Sequence, residues 1–169
     1  MRHARHVAAA LVVLAIGVGA ALSFDLVVGH SSAPSVDYTL LDGTRANTEQ
    51  LRGKVVLVNF WATSCTNCLH EMPQIVATHE KFKARGFETL AVAMSYDPPA
   101  NVIRYAETHK LPFGVAIDIT GSIAQSFGNV QATPISVLIN KRGEIVKRYY
   151  GEPDFAAFHR LVEALLAEA

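Results

Sequence analysis

Residues 55–73 read VVLVNFWATSCTNCLHEMP, a nearly all-apolar, β-branched run that passes into the only two cysteines of a 169-residue chain. Val55 to Phe60 has the composition of a strand covered on both faces. From about Cys65 to Ala84 the period changes to that of a helix, with Met72, Ile75, Val76, His79 and Phe82 tracing one face and Gly86 ending it. Cys65 and Cys68 therefore stand just past the carboxyl end of a buried strand, at the start of a helix. In open α/β sheets, ligands and chemistry gather at that end of the strands.

The position acts on the thiols. A helix N-terminus offers unpaired N–H groups and the positive end of the macrodipole, and both favour a thiolate over a thiol. Cysteines so placed have pKa values lowered to about 3.5–7.5. The spacing assigns Cys65 as nucleophile and Cys68, nearly one turn further in, as the thiol that resolves a mixed disulfide at Cys65. Two incidental small hydrophobes are the bland reading, against which stands CxxC beside a βαβ pattern. A structural staple is disfavoured, because a bridge between neighbours closes too small a loop to stabilise a fold much. A zinc site needs four ligands, and only His70 and His79 lie near in sequence, so no metal site is expected. A copper-carrying thiol pair stays open, since copper accepts fewer and softer ligands.

Working outward, Tyr38 to Leu41 and a second short stretch flank Asp42-Gly43, a hairpin signal. Leu90 to Met94 reads as a strand, Pro99 and Asn101 open a helix running to about His109, and Val115 to Ile117 is a short strand. Ser122 to Phe127 forms a short helix closed by Gly128. Ile135–Ile139 and Glu144–Tyr149 are strands joined at Lys141-Arg142-Gly143, and an amphipathic helix starts at Phe155. This order predicts an α/β sandwich with parallel central strands.

Before this domain, Arg2 and Arg5 precede Val7 to Phe24, 18 residues without a charge. The length fits a transmembrane anchor better than a cleavable signal peptide, whose apolar core is about 7–15 residues. No Lys or Arg follows until Arg45, so the positive-inside rule leaves the N-terminus in the cytoplasm and exports the rest. The expected organisation is residues 1–28 as cytoplasmic tip and anchor, 29–35 as a polar linker, and 36–169 as the domain, facing a periplasmic or other extracytoplasmic space. Formal net charge is zero, and no basic run lies beyond the N-terminus, so nucleic-acid binding has no electrostatic footprint.

The active segment resembles that of thioredoxin-fold proteins, in particular the TlpA/ResA-like membrane-anchored thiol–disulfide oxidoreductases. TLLDGTRANTEQLRGK is similar to that family's hairpin and lead-in, and FGNVQATPISVLINKRGEIVKRYYG to its cis-proline element and last two strands. The stretch from Asp97 to Asp118 matches the βα unit inserted relative to thioredoxin. The resemblance implies a thioredoxin-like sandwich with a central mixed sheet, an N-terminal hairpin and that inserted unit, preceded by one transmembrane helix. It implies catalysis by Cys65 and Cys68, with Pro134 as the cis-proline facing them; an ordinary trans proline ahead of a strand is the other reading of Pro134. Glu71 matches an acidic residue linked to proton handling. Its place three residues after Cys68 lets a carboxylate tune or accept a thiol proton, though a solvated first-turns glutamate fits equally.

Trp61, Ser64, Thr66, Asn67 and Thr133 complete the expected substrate-binding set, Trp61 packing beside the site. Ser64 replaces the tryptophan that precedes thioredoxin's first cysteine, Asn59 stands where thioredoxin has a buried acid, and Ile135-Ser136 follows the proline. The implied function is reduction of a disulfide in an envelope protein such as apocytochrome c, recharged by a membrane electron donor. No cofactor is expected beyond the redox-active Cys65–Cys68 pair. A peroxiredoxin-type peroxidase is the alternative enzyme. Thr63, however, is two residues upstream of Cys65 rather than three, and residues 55–64 hold no proline.

Overall fold

The computed structural model describes residues 31–168, and among these described residues seven strands and four α-helices follow one another. The expected tip, anchor and first linker residues lie outside that range; among the described residues, no helix is long and apolar enough to cross a membrane. In order the elements are β1 (Asp37–Thr39), β2 (Arg45–Asn47), β3 (Val55–Trp61), α1 (Thr66–Phe82), β4 (Phe87–Ala93), α2 (Pro99–Thr108), β5 (Gly114–Ile117), α3 (Ser122–Ser126), β6 (Ile135–Ile139), β7 (Ile145–Tyr150) and α4 (Phe155–Ala167).

The main sheet has the order β5-β4-β3-β6-β7. β3, β4 and β5 run parallel, while β6 and β7 pair antiparallel, so the sheet is mixed. Every residue of β3 is buried, as a strand central to such a sheet requires. Alternation along it divides the core. Val56, Val58 and Phe60 pack with Phe127 and the hairpin's Tyr38, whereas Val55 and Leu57 pack with Ile75 and Phe82 of α1 and Phe158 of α4. Asn59 and Trp61 share the second face by the same alternation, and so point toward α1.

Some boundaries differ from the expectation for local reasons. β1 stops at Thr39, where the hairpin turn begins: Leu40 N–H donates to the Thr44 carbonyl, and Leu40 also bridges Ala116, which docks the hairpin on the edge of β5. α1 ends at Phe82 and tightens into a 3-10 turn, Lys83–Arg85, closed by Gly86 at φ +94°, a left-handed conformation that glycine adopts without steric cost. At the other pole of β3, Ser32 bridges Glu144 and Ala33 donates to the Gly143 carbonyl, fixing the start of the domain to the β6–β7 turn.

Candidate active site

Cys65 is the N-cap of α1, with extended backbone, and its Sγ accepts a hydrogen bond from Cys68 N–H at 3.2 Å. The two cysteines are joined as a disulfide with their Cα atoms 5.2 Å apart. Their surroundings differ sharply: Cys65 is half-buried, whereas Cys68 is fully buried among Trp61, Met72, Ala91 and Ala93. An incoming sulfur can reach only the first of the pair. The N–H that caps Cys65 is one of the donors a helix start leaves unpaired, and it would stabilise negative charge on that sulfur after reduction.

Glu71 lies on the same helix face as Cys68 and is also fully buried. The solvated-glutamate reading is therefore set aside. Its Oε1 accepts from Asn59 Nδ2 at 3.0 Å, and the same amide nitrogen donates to Ser136 Oγ at 2.9 Å. Asn59 and Ser136 are direct register partners on β3 and β6, which is why one amide can serve both. Glu71 Oε2 has no partner among the described residues. Burial, opposed by the Asn59 hydrogen bond and aided by the negative charge of Glu152, pushes the Glu71 carboxyl up to about 7. A buried acid poised there is matched to proton transfer near neutrality.

Glu152, in the turn after β7, accepts from or pairs with His70 Nδ1 at 3.1 Å, and both side chains are exposed. Removing its charge should let Glu71 ionise more readily. Glu152→Gln is expected to move the Glu71 midpoint to lower pH by a fraction of a unit, read from the pH dependence of thiol reactivity. An unmoved or raised midpoint would remove Glu152 from the account.

The peptide bond Thr133–Pro134 is cis. Phe60 pairs with Ile135, so Pro134 comes level with Trp61 at the end of β3 that leads to the cysteines. Pro134 is buried and Thr133 half-buried. Ser64, Thr66 and Asn67 are all exposed around Cys65. Trp61 departs from the substrate-binding expectation: at 0% exposure it cannot touch a substrate, and its ring packs against Tyr105 with centroids 5.2 Å apart. Its alternation onto the α1 face puts it under the cysteine pair rather than on the surface.

Two features escaped sequence reasoning. Asp97, 2% exposed, accepts from Thr63 N–H and hydroxyl, and Tyr96 reaches Thr133. Their place just beyond β4, at the carboxyl end of the parallel strands, was the available signal. His70 and His79 are not brought together with the thiols as a ligand set. His79 is buried with Nδ1 3.2 Å from Thr89 Oγ1, and among the described residues no metal-ligating cluster of three or more such side chains forms.

Comparison with known proteins agrees with this geometry. Two bacterial proteins named Thiol-disulfide oxidoreductase ResA align with the chain. The Halalkalibacterium halodurans protein is 30% identical over 147 residues, covering 86% of this chain and 82% of its own length. The Bacillus cereus protein is 32% identical over 151 residues, covering 83% and 86%. The crystal structure of a thiol:disulfide interchange protein of the thioredoxin family from Chlorobium tepidum TLS superposes with a TM-score of 0.75 at 28% identity, covering 83% of this chain and 99% of that one. The Redoxin family model matches residues 28–165.

Proposed function

This chain belongs to the Redoxin family and is a ResA-like thiol–disulfide oxidoreductase, and from that premise we propose that it is a membrane-tethered reductase of protein disulfides outside the cytoplasm. The observation that carries the assignment of roles is the asymmetry of the pair: Cys65 capped and reachable, Cys68 sealed beside Glu71. The Arg-flanked apolar segment 7–24 supports the tether and the export.

In the forward direction the reduced pair meets an oxidised protein. Cys65 thiolate attacks one sulfur of the substrate disulfide, forming a mixed disulfide and releasing the other sulfur as a thiolate. Cys68 then gives its proton to the Glu71 carboxylate and attacks Cys65 Sγ, which releases the second substrate sulfur. Two electrons pass to the substrate, which leaves as a dithiol after taking up two protons, and the Cys65–Cys68 disulfide remains. A membrane electron donor returns the two electrons. The substrate is an envelope protein with an accessible disulfide, apocytochrome c being one of that class.

The test uses the full chain. Purified protein should accelerate the reduction of insulin disulfides by dithiothreitol, and a Cys68→Ala variant expressed in cells should accumulate mixed disulfides with exported proteins. A rate no faster than dithiothreitol alone, or a catch made only of cytoplasmic proteins, would overturn the reading.

A further inference from the structure

The turn after β4 carries an aromatic residue outside the dithiol chemistry. Met94 O accepts from Asp97 N–H at 3.0 Å, so Ser95 and Tyr96 form the crown of a tight turn. Both of its ends are buried, Met94 and Asp97 alike. Asp97 is fastened again through its carboxylate, which accepts from Thr63 N–H at 2.6 Å and from the Thr63 hydroxyl at 2.5 Å. The turn is thereby locked to the backbone that leads into Cys65. In the other direction, the Tyr96 hydroxyl is 3.2 Å from Thr133 Oγ1, on the residue that precedes Pro134. One turn thus ties the loop before the nucleophile to the loop carrying the cis peptide bond. The ring nevertheless stays 56% exposed. A tyrosine with its polar tip engaged and its apolar faces wet is suited to contact with a partner.

We propose that Tyr96 is a positioning and specificity residue for polypeptide substrates, its hydroxyl holding Thr133 and its ring walling the path of the chain that brings a disulfide to Cys65. The inference rests on the protein-disulfide reading above. The occupant is an extended segment flanking the substrate's disulfide. Among the described residues, neither the N–H nor the C=O of Thr133 has a hydrogen-bond partner, so this backbone is available for strand-like pairing. Fixing Thr133 in advance spares the complex part of the ordering cost of that pairing. A small disulfide has no flanking chain to pair or pack, and Tyr96 is indifferent to it.

The experiment compares full-length reduced wild type, Tyr96→Phe and Tyr96→Ala on two disulfides. One is a peptide with an internal disulfide and several residues on either side; the other is 5,5′-dithiobis(2-nitrobenzoate). Losing one ordinary hydrogen bond, Tyr96→Phe should lower kcat/KM for the peptide about threefold, mainly through KM. Losing the ring as well, Tyr96→Ala should lower it about tenfold or more. Rates with the small disulfide should stay at the wild-type level in both variants. Equal losses on both disulfides would reduce Tyr96 to a structural role, and unchanged peptide kinetics in Tyr96→Ala would remove it from recognition; either result overturns the proposal. The near-isosteric Phe variant guards against a folding defect in Tyr96→Ala. Wild type that consumes the small disulfide but not the peptide would overturn the protein-disulfide reading itself, and this inference with it, before any variant is compared.

Discussion

Cys65→Ala should lower insulin-disulfide reduction by more than about a thousandfold, to the rate of dithiothreitol alone, because it removes the nucleophile of a covalent mechanism. The size of the loss follows from burial. Cys68 is at 0% exposure, so it cannot substitute as the attacking thiol. Its partner variant should fail in a different way. Cys68→Ala keeps the capped, reachable Cys65 and completes the first step, so one equivalent of substrate thiol appears and the mixed disulfide persists. The contrast is read by mass spectrometry of the quenched reaction. A Cys65→Ala protein that turns over, or forms an adduct through Cys68, would reverse the assigned order.

Glu71→Gln should change both stability and rate, each with a defined pH dependence. The folded-state pKa of Glu71 is raised from 4.5 to about 7. An acid raised on folding binds its proton more tightly in the native state. Its contribution is fully present below pH 4.5, is lost as pH climbs toward 7, and stays lost above. The shift corresponds to on the order of 3 kcal/mol of stability that the wild type loses across this window. The glutamine variant, having no proton to lose, should be the more stable protein at pH 8 relative to its standing at pH 4. Urea unfolding of the oxidised proteins at the two pH values measures the difference. Parallel pH dependences would show that Glu71 does not titrate in this range. In catalysis the sign is opposite, because only the carboxylate accepts a proton from Cys68. The wild-type resolving rate should rise through pH 7, while Glu71→Gln should be slower by about a hundredfold and lack that step.

The reactive end of the molecule was legible because its signals are local. A β-branched run from Val55 to Phe60, one residue short of the observed strand, and a helical period from about Cys65 suffice to put two cysteines at a strand–helix junction, and β6 spans Ile135–Ile139 as its apolar run indicates. β4 was read too short, from Leu90, because Glu88 and Thr89 interrupt the apolar pattern. In the fold Thr89 is buried against His79, and Glu88 turns outward to Lys54 at 3.0 Å, so both polar residues are compatible with a strand. The burial of Glu71 was not legible at all. It depends on Asn59 meeting Ser136 across two strands 77 residues apart and turning its amide toward α1. Such a pairing is set by register, which composition does not reveal. Trp61 packs beside the site as the resemblance implied, and only its membership of the substrate-binding set is corrected, because the strict alternation along β3 turns it inward.

The stitching of residues 31–33 to the β6–β7 turn leaves the opposite pole of the domain to the chemistry. The chain enters the domain at one end of β3 and the thiols lie past the other, separated by a seven-residue strand of about 23 Å at 3.3 Å per residue. A protein partner of either kind, substrate or thiol-bearing donor, must therefore approach the end of β3 that residues 31–33 leave free, where Cys65 is reachable.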